Sequence, residues 1–200
     1  MTDHGPVSAM PGKLVVITGP SGVGKSTIDR EVVRRTGAEF SVSATTRSPR
    51  PGEVDGREYR FVDRPTFEAM IERGDLLEWA DVFGELYGTP AAPVRRAIAD
   101  GRTILLEIDI QGGLQVAEKM PEATFVLIVP PSDEELARRL LGRASEDDAT
   151  ARRRLAKARE EIRIAKESGV YNHVVVNDDL ERATDEVERV VRRDDTPTES

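Results

Sequence analysis

The chain has 200 residues, with 37 acidic and 29 basic side chains, a net charge of −8 and no cysteine. That length holds one good core with small inserted subdomains, but not two large independent domains. Absence of cysteine excludes a disulfide framework, a thiolate nucleophile and a Cys-ligated metal. The acidity argues against broad binding to nucleic acid or anionic lipid, so an anionic ligand must be held by local clusters of cations.

His4 and His173 are far apart and make poor evidence for a metal site. No apolar run reaches the length of a membrane span, and residues 1–12 lack the apolar segment of a signal peptide. A soluble, cytoplasmic protein is expected, and its oligomeric state stays open. The polar segments Met1–Pro11 and Asp194–Ser200 read as disordered tails.

In chain order, Leu14 to Thr18 is an apolar, β-branched run that reads as a buried strand. It leads into Gly19-Pro20-Ser21-Gly22-Val23-Gly24-Lys25-Ser26, a full match to G-x-x-x-x-G-K-[ST]. Ser26 to Arg35 has no Gly or Pro and reads as a helix. A glycine-rich turn alone fits the pattern, but strand, loop and helix together make a phosphate-binding P-loop. Its backbone N–H groups and helix N-terminus would receive a nucleoside triphosphate. Lys25 is expected at the β- and γ-phosphates, and the Ser26 hydroxyl at Mg²⁺.

Phe40–Tyr87 breaks the rhythm. It is dense in turn residues, contains short strand-like pieces at Ser41–Thr46, Tyr59–Val62 and Leu77–Phe83, and holds a helical stretch at Pro65–Arg73. It reads as a small, mostly β insertion. Thr89 then reads as the N-cap of a helix over Pro90–Asp100, with proline at the first helical position. Thr103–Ile108 and Thr124–Val129 are buried-strand candidates, and Ser132 with Glu135 reads as a capping box for a helix over Asp133–Leu141. Arg143–Arg154 is polar and arginine-studded. A long charged helix near Asp147–Glu167, a strand at His173–Val176 and a helix at Leu180–Arg192 complete the chain. The alternation of strand and helix predicts an α/β fold with a parallel sheet.

Several blocks resemble guanylate kinase in order and spacing: Gly19 to Thr27, the S-x-S-x-T-T-R-x-P-R run from Ser41 to Arg50, Pro51-Gly52-Glu53, Asp55-Gly56, Tyr59, Glu78, Tyr87-Gly88-Thr89, Asp109-Ile110-Gln111-Gly112 and Val176-Asn177-Asp178-Asp179. The resemblance runs from about Gly12 to Arg192. It implies the P-loop nucleoside monophosphate kinase fold and the reaction ATP + GMP ⇌ ADP + GDP with Mg²⁺. It also implies a division into a core of residues 12–39, 90–142 and 158–193, an acceptor-binding insertion of residues 40–89, and a lid of residues 143–157. Guanylate-kinase-like modules without catalysis are the alternative, against which the intact Gly24-Lys25-Ser26 argues.

The resemblance also distributes roles. Residues 19–27 and Asn177 would bind ATP, although Asn177 also reads as a turn residue. Arg47 and Arg50, three apart in a Pro-containing loop, would grip the GMP phosphate as planar forks. Tyr59 and Tyr87 would add hydroxyl donors, where the bland reading is exposed arginines and core tyrosines. Guanine presents N1–H and N2–H₂ as donors, so a buried carboxylate that accepts from it is left unpaired by adenine. Glu78 and Asp109 are the candidates, with Ser43 and Thr89 as hydroxyl partners. Glu78 also reads as a solvated strand residue, Thr89 as only a cap, and Asp109 as a metal ligand. Glu107 and Asp109 project from one face of a strand that ends in carboxylates, and Glu107 is assigned to the Mg²⁺ water shell. Many family members have aspartate at the Glu107 position, glycine at Ala144 and aspartate at Asn172. Arg139, Arg143 and Arg154 would place cations at the transferred phosphoryl group. A solvated helix face with a Glu135–Arg139 ion pair is the ordinary alternative.

Overall fold

The computed structural model describes residues 12–141 and 148–192. Five strands form the main sheet: β1 (Leu14–Thr18), β2 (Glu39–Phe40), β7 (Ile104–Glu107), β8 (Thr124–Val129) and β9 (His173–Val176). Their order is β2-β7-β1-β8-β9, and every pairing is parallel. Six helices belong with this sheet: α1 (Lys25–Thr36), α3 (Ala91–Ala99), α4 (Ile110–Lys119), α5 (Asp133–Leu141), α6 (Asp148–Glu167) and α7 (Leu180–Arg192).

Side-chain alternation along β1 explains why helices cover both faces. Val15 and Ile17 join a buried cluster with Ile28 and Val32 of α1 and Val187 and Val190 of α7. Leu14 and Val16 join the opposite cluster, with Val94 and Ala97 of α3 and Val116 of α4. Because β7 and β8 flank β1 on opposite sides, the strand order reverses there. Open α/β sheets bind ligands beyond the carboxyl ends of strands at such a switch point, and the P-loop occupies that end of β1.

The insertion is a second sheet, built from β3 (Ala44–Thr45), β4 (Arg60–Phe61), β5 (Leu76–Val82) and β6 (Glu85–Pro90) in the order β4-β3-β6-β5. Helix α2 (Arg64–Glu72) covers it, packing Phe67 and Met70 on Ala44, Leu76 and Leu86. Asp63 caps α2 by accepting from the Thr66 N–H at 2.8 Å.

The structure departs from sequence expectation at several points. Helix α4, strand β6 and the two-residue β2 were not foreseen. Thr89 does not cap α3: the N-cap is Pro90, and the Thr89 hydroxyl donates to Glu78 instead. Ser132 does accept from the Glu135 N–H at 3.2 Å, but the Glu135 carboxylate binds Arg138 and Arg139 rather than closing a capping box. Of the expected lid, residues 148–157 are the first half of α6. Arg143, Ala144 and both expected tails lie outside the described residues.

Candidate active site

The P-loop enters α1 through Gly24, whose backbone is left-handed with φ of 100°. A Cβ there would lie 2.6 Å from Asn177 Nδ2, so glycine satisfies both the backbone and the close approach. Asn177 is 5% exposed, and its Nδ2 donates to the Val23 carbonyl at 2.7 Å. The Asn177 amide thus braces the loop's own backbone from behind.

Lys25 Nζ donates to the carbonyls of Gly19 at 2.7 Å and Pro20 at 3.2 Å. Burial lowers its pKa from the ordinary lysine value, against the pull of nearby carboxylates, Glu107 first among them. The Ser26 hydroxyl donates to Glu107 Oε1 at 2.7 Å, so the extra methylene of Glu107 still lets it reach the loop. A hydroxyl and a carboxylate beside a phosphate cradle fit Mg²⁺, which takes few protein oxygens and leaves other positions to phosphate and water.

Two of the three expected lid arginines reach this loop. Arg139 pairs with Glu135 at 2.7 Å, as the ordinary reading of the helix face has it, but its Nη2 also donates to the Asn177 carbonyl at 2.9 Å. Arg154 Nη2 donates to the Ser21 hydroxyl at 3.0 Å. Thr27 is exposed at the start of α1.

In the insertion, Arg47 forms a two-pronged pair with Glu53, at 3.0 and 2.9 Å. Its guanidinium carbon stands 5.5 Å from the Tyr59 ring centre and 5.8 Å from that of Phe61. Tyr59 and Tyr87 meet edge to face at 5.8 Å. Burial raises the Tyr59 pKa, which keeps its hydroxyl a donor. Arg50 is exposed, and its backbone N–H donates to Glu53 Oε2 at 2.6 Å. Ser43 is half-buried just before β3.

Glu78 is 6% exposed on β5 and accepts from the Thr89 hydroxyl at 2.6 Å. Burial pushes its carboxyl pKa up to about 7, opposed by the Thr89 hydrogen bond and aided by Asp109. Asp109 is the N-cap of α4, accepting from the Gly112 N–H at 2.7 Å. A Cβ on Gly112 would fall 3.0 Å from Glu78 Oε2 and 3.4 Å from Asp109 Oδ1. The two carboxylates therefore face one small space at the α4 N-terminus, while Glu107 serves the P-loop.

The family model described as guanylate kinase matches residues 11–194. Guanylate kinase of Thermus thermophilus is 50% identical over 177 residues, covering 88% of this chain and 78% of that one. That of Nocardia farcinica is 52% identical over 179 residues, covering 88% of this chain and 91% of its own. A crystal structure of guanylate kinase from Anaplasma phagocytophilum superposes with a TM-score of 0.73 at 33% identity, covering 94% of this chain and 89% of that one. The chain belongs to the guanylate kinase family.

Two residues near the site escaped sequence reasoning. Glu53 organises the arginine loop; only its place in a motif marked it. Asp29 on α1 is 1% exposed, and neither carboxylate oxygen receives a hydrogen bond. Burial, then the adjacent Glu107 carboxylate, push its pKa up to about 9. At neutral pH Asp29 is the neutral acid, and Glu107 is the partner its proton faces. Helical spacing marks it, since Ile28 and Val32 on the same face are buried too.

This burial has a pH signature. The folded pKa of Asp29, about 9, stands above the ordinary 3.8, so the native state keeps a proton that the unfolded chain releases. Stability from this group is full at low pH and is lost as pH rises toward 9. Asp29→Asn keeps the shape and a donor toward Glu107 without titrating. Its unfolding free energy in chelator-treated buffer should gain on the parent protein by at least ~1 kcal/mol between about pH 5.5 and about pH 8. A difference independent of pH in denaturant titrations would show that Asp29 is ionised in the folded state.

Proposed function

We propose that ATP on the P-loop phosphorylates GMP held by the insertion, giving ADP and GDP. The observation that carries this reading is about 50% identity to curated guanylate kinases over most of the chain. The buried Glu78 carboxylate, set beside Asp109, supports the base assignment. The alternative of an inactive interaction module gains nothing from these relatives.

Residues 19–27 cradle the triphosphate, with Lys25 moving from the loop carbonyls to the phosphates. Ser26 and Glu107 would hold Mg²⁺. When bound, the metal neutralises charge on the triphosphate. Arg139, Arg143 and Arg154 set cations around the transferred group, while Asn177 keeps the loop in shape. Arg47, Arg50, Tyr59 and Tyr87 take the GMP phosphate. Glu78, Asp109, Ser43 and Thr89 read guanine. The GMP phosphate is already an ionised nucleophile near neutral pH, so positioning and charge neutralisation suffice and no side chain need act as base. No helix among the described residues is long and apolar enough to cross a membrane. We place the reaction in cytoplasmic purine nucleotide metabolism.

Glu53 pairs with the Arg47 fork, and a GMP phosphate offers the same fork a better-charged partner. Arg47→Ala or Arg50→Ala should therefore raise the GMP KM at least ~10-fold and leave the ATP KM within about twofold. Steady-state kinetics with each substrate varied in turn separates the two. A raised ATP KM with GMP binding intact would move these arginines to the donor site.

A further inference from the structure

Strand β5 lies at the edge of the insertion sheet, and its outward backbone groups are met by a helix instead of another strand. The Trp79 N–H donates to Gln115 Oε1 at 3.1 Å, and Gln115 Nε2 donates to the Trp79 carbonyl at 3.0 Å. Four residues on, Lys119 Nζ donates to the Leu76 carbonyl at 2.9 Å. Three residues before Gln115, Gly112 leaves room for the Glu78 carboxylate. Positions 112, 115 and 119 share one face of α4, and that face addresses β5 at Glu78, Trp79 and Leu76.

The pairing of β5 with β6 is irregular here. Leu76 stands opposite Pro90 and Glu78 opposite Thr89, with a register shift between them. Such a bulge leaves an extra residue, Leu77, unpaired on one side of Glu78, while Glu78 to Val82 stay in register with Thr89 to Glu85, so Glu78 is the last paired residue before the irregularity. A slip of one residue would turn Glu78 away from Asp109. The two α4 contacts flank the bulge, at Leu76 on one side and Trp79 on the other. A carboxamide is suited to the second contact, because it presents a donor and an acceptor side by side to one residue's C=O and N–H.

We propose that Gln115 is a positioning residue for guanine selection: its amide clasps the Trp79 backbone like a neighbouring strand and holds Glu78 at the N-terminus of α4. The inference rests on the reading of Glu78 as the guanine acceptor. It also connects the insertion to the core at the point where the two share the base.

Trp79 is the only tryptophan of the chain, so its fluorescence reports this contact directly. Gln115→Leu removes both hydrogen bonds at similar size. It should shift Trp79 emission without ligand, raise the GMP KM about 10-fold, lower the GMP/AMP ratio of kcat/KM by a similar factor, and leave the ATP KM within about twofold. Gln115→Glu keeps the acceptor for the Trp79 N–H and loses the donor, so it should fall between; it serves as the readout if the leucine variant does not fold. GMP KM and GMP/AMP ratio unchanged in the folded variants would overturn the proposal, as would equal rises in the GMP and ATP KM. Glu78→Gln is measured alongside. If it lowers the ratio while the Gln115 variants do not, the clasp is wrong and the base reading stands. If Glu78→Gln leaves the ratio unchanged, the base reading fails and the proposal falls with it.

Discussion

Lys25→Ala is expected to lower kcat for GMP-dependent ADP formation at least ~100-fold, equivalent to about 2.7 kcal/mol of transition-state stabilisation. The ammonium sits at the mouth of α1, where it donates to the Gly19 and Pro20 carbonyls. Its hydrogen bonds are thus to backbone of the loop that would receive phosphate, and they are exchangeable for phosphate oxygens at short range. Burial already disfavours its charge, so this ammonium gains more from a polyphosphate than an exposed lysine would. Alanine leaves two loop carbonyls without that donor, roughly 1–3 kcal/mol for each one shut off from water. It also relieves the cost of a desolvated ammonium, and the two effects oppose each other. The loss should therefore appear in kcat far more than in the melting temperature. Near-normal turnover in a folded Lys25→Ala protein would mean that another group carries the phosphoryl charge.

The parts of this fold that were legible in the sequence are those where one local rule decides. The unbroken β-branched run before Gly19 has only a buried strand open to it, and it is β1. Helices α5 and α7 start where expected, at Asp133 and Leu180, because Ser132 accepts from the Glu135 N–H and Asp179 from the Arg182 N–H. Helix α4 carries two adjacent glycines, which weaken its local helical signal. It forms because Asp109 caps it and because Gly112 and Gly113 abut the Glu78 carboxylate and the Tyr171 hydroxyl, where a Cβ has no room. With α4 unseen, Gln115 had no face and no partner. Likewise β6 ends in a proline and carries Gly88, both strand-breaking signals, yet it pairs along β5 over most of its length. At the site, residue type and motif spacing named the cations and carboxylates. They did not show which of these side chains also brace the backbone, as the Asn177 amide does at the Val23 carbonyl.

Glu78→Gln is expected to lower kcat/KM for GMP by about 10- to 100-fold, from losing a charge-assisted hydrogen bond worth roughly 1.5–3 kcal/mol in a desolvated site. The amide oxygen can still accept one bond, but its NH₂ would face guanine's own donors. Thr89 already donates to Oε1, which leaves Oε2, on the Gly112 side, for the base. A pH dependence follows from the same burial. The Glu78 pKa is raised to about 7, so the carboxyl is protonated below that pH and must lose its proton to accept from guanine. Parent kcat/KM for GMP should rise through pH 7 on this account, and Glu78→Gln should lack that part of the rise. AMP, without those donors, should be turned over no worse by the variant. Asp109→Asn serves as the matched control: a loss in the GMP/AMP ratio means it shares the base, whereas a shifted Mg²⁺ dependence means it serves the metal.

Discrimination among acceptors at saturating Mg²⁺ and ATP is the most direct measurement, with ADP release followed for GMP, AMP, CMP and UMP in turn. A buried carboxylate that reads guanine should give GMP a kcat/KM advantage of at least ~10³ over AMP, reduced at least ~10-fold in Glu78→Gln. Comparable turnover of AMP and GMP by the parent protein, or a ratio untouched by Glu78→Gln, would contradict a guanine-specific kinase built around Glu78.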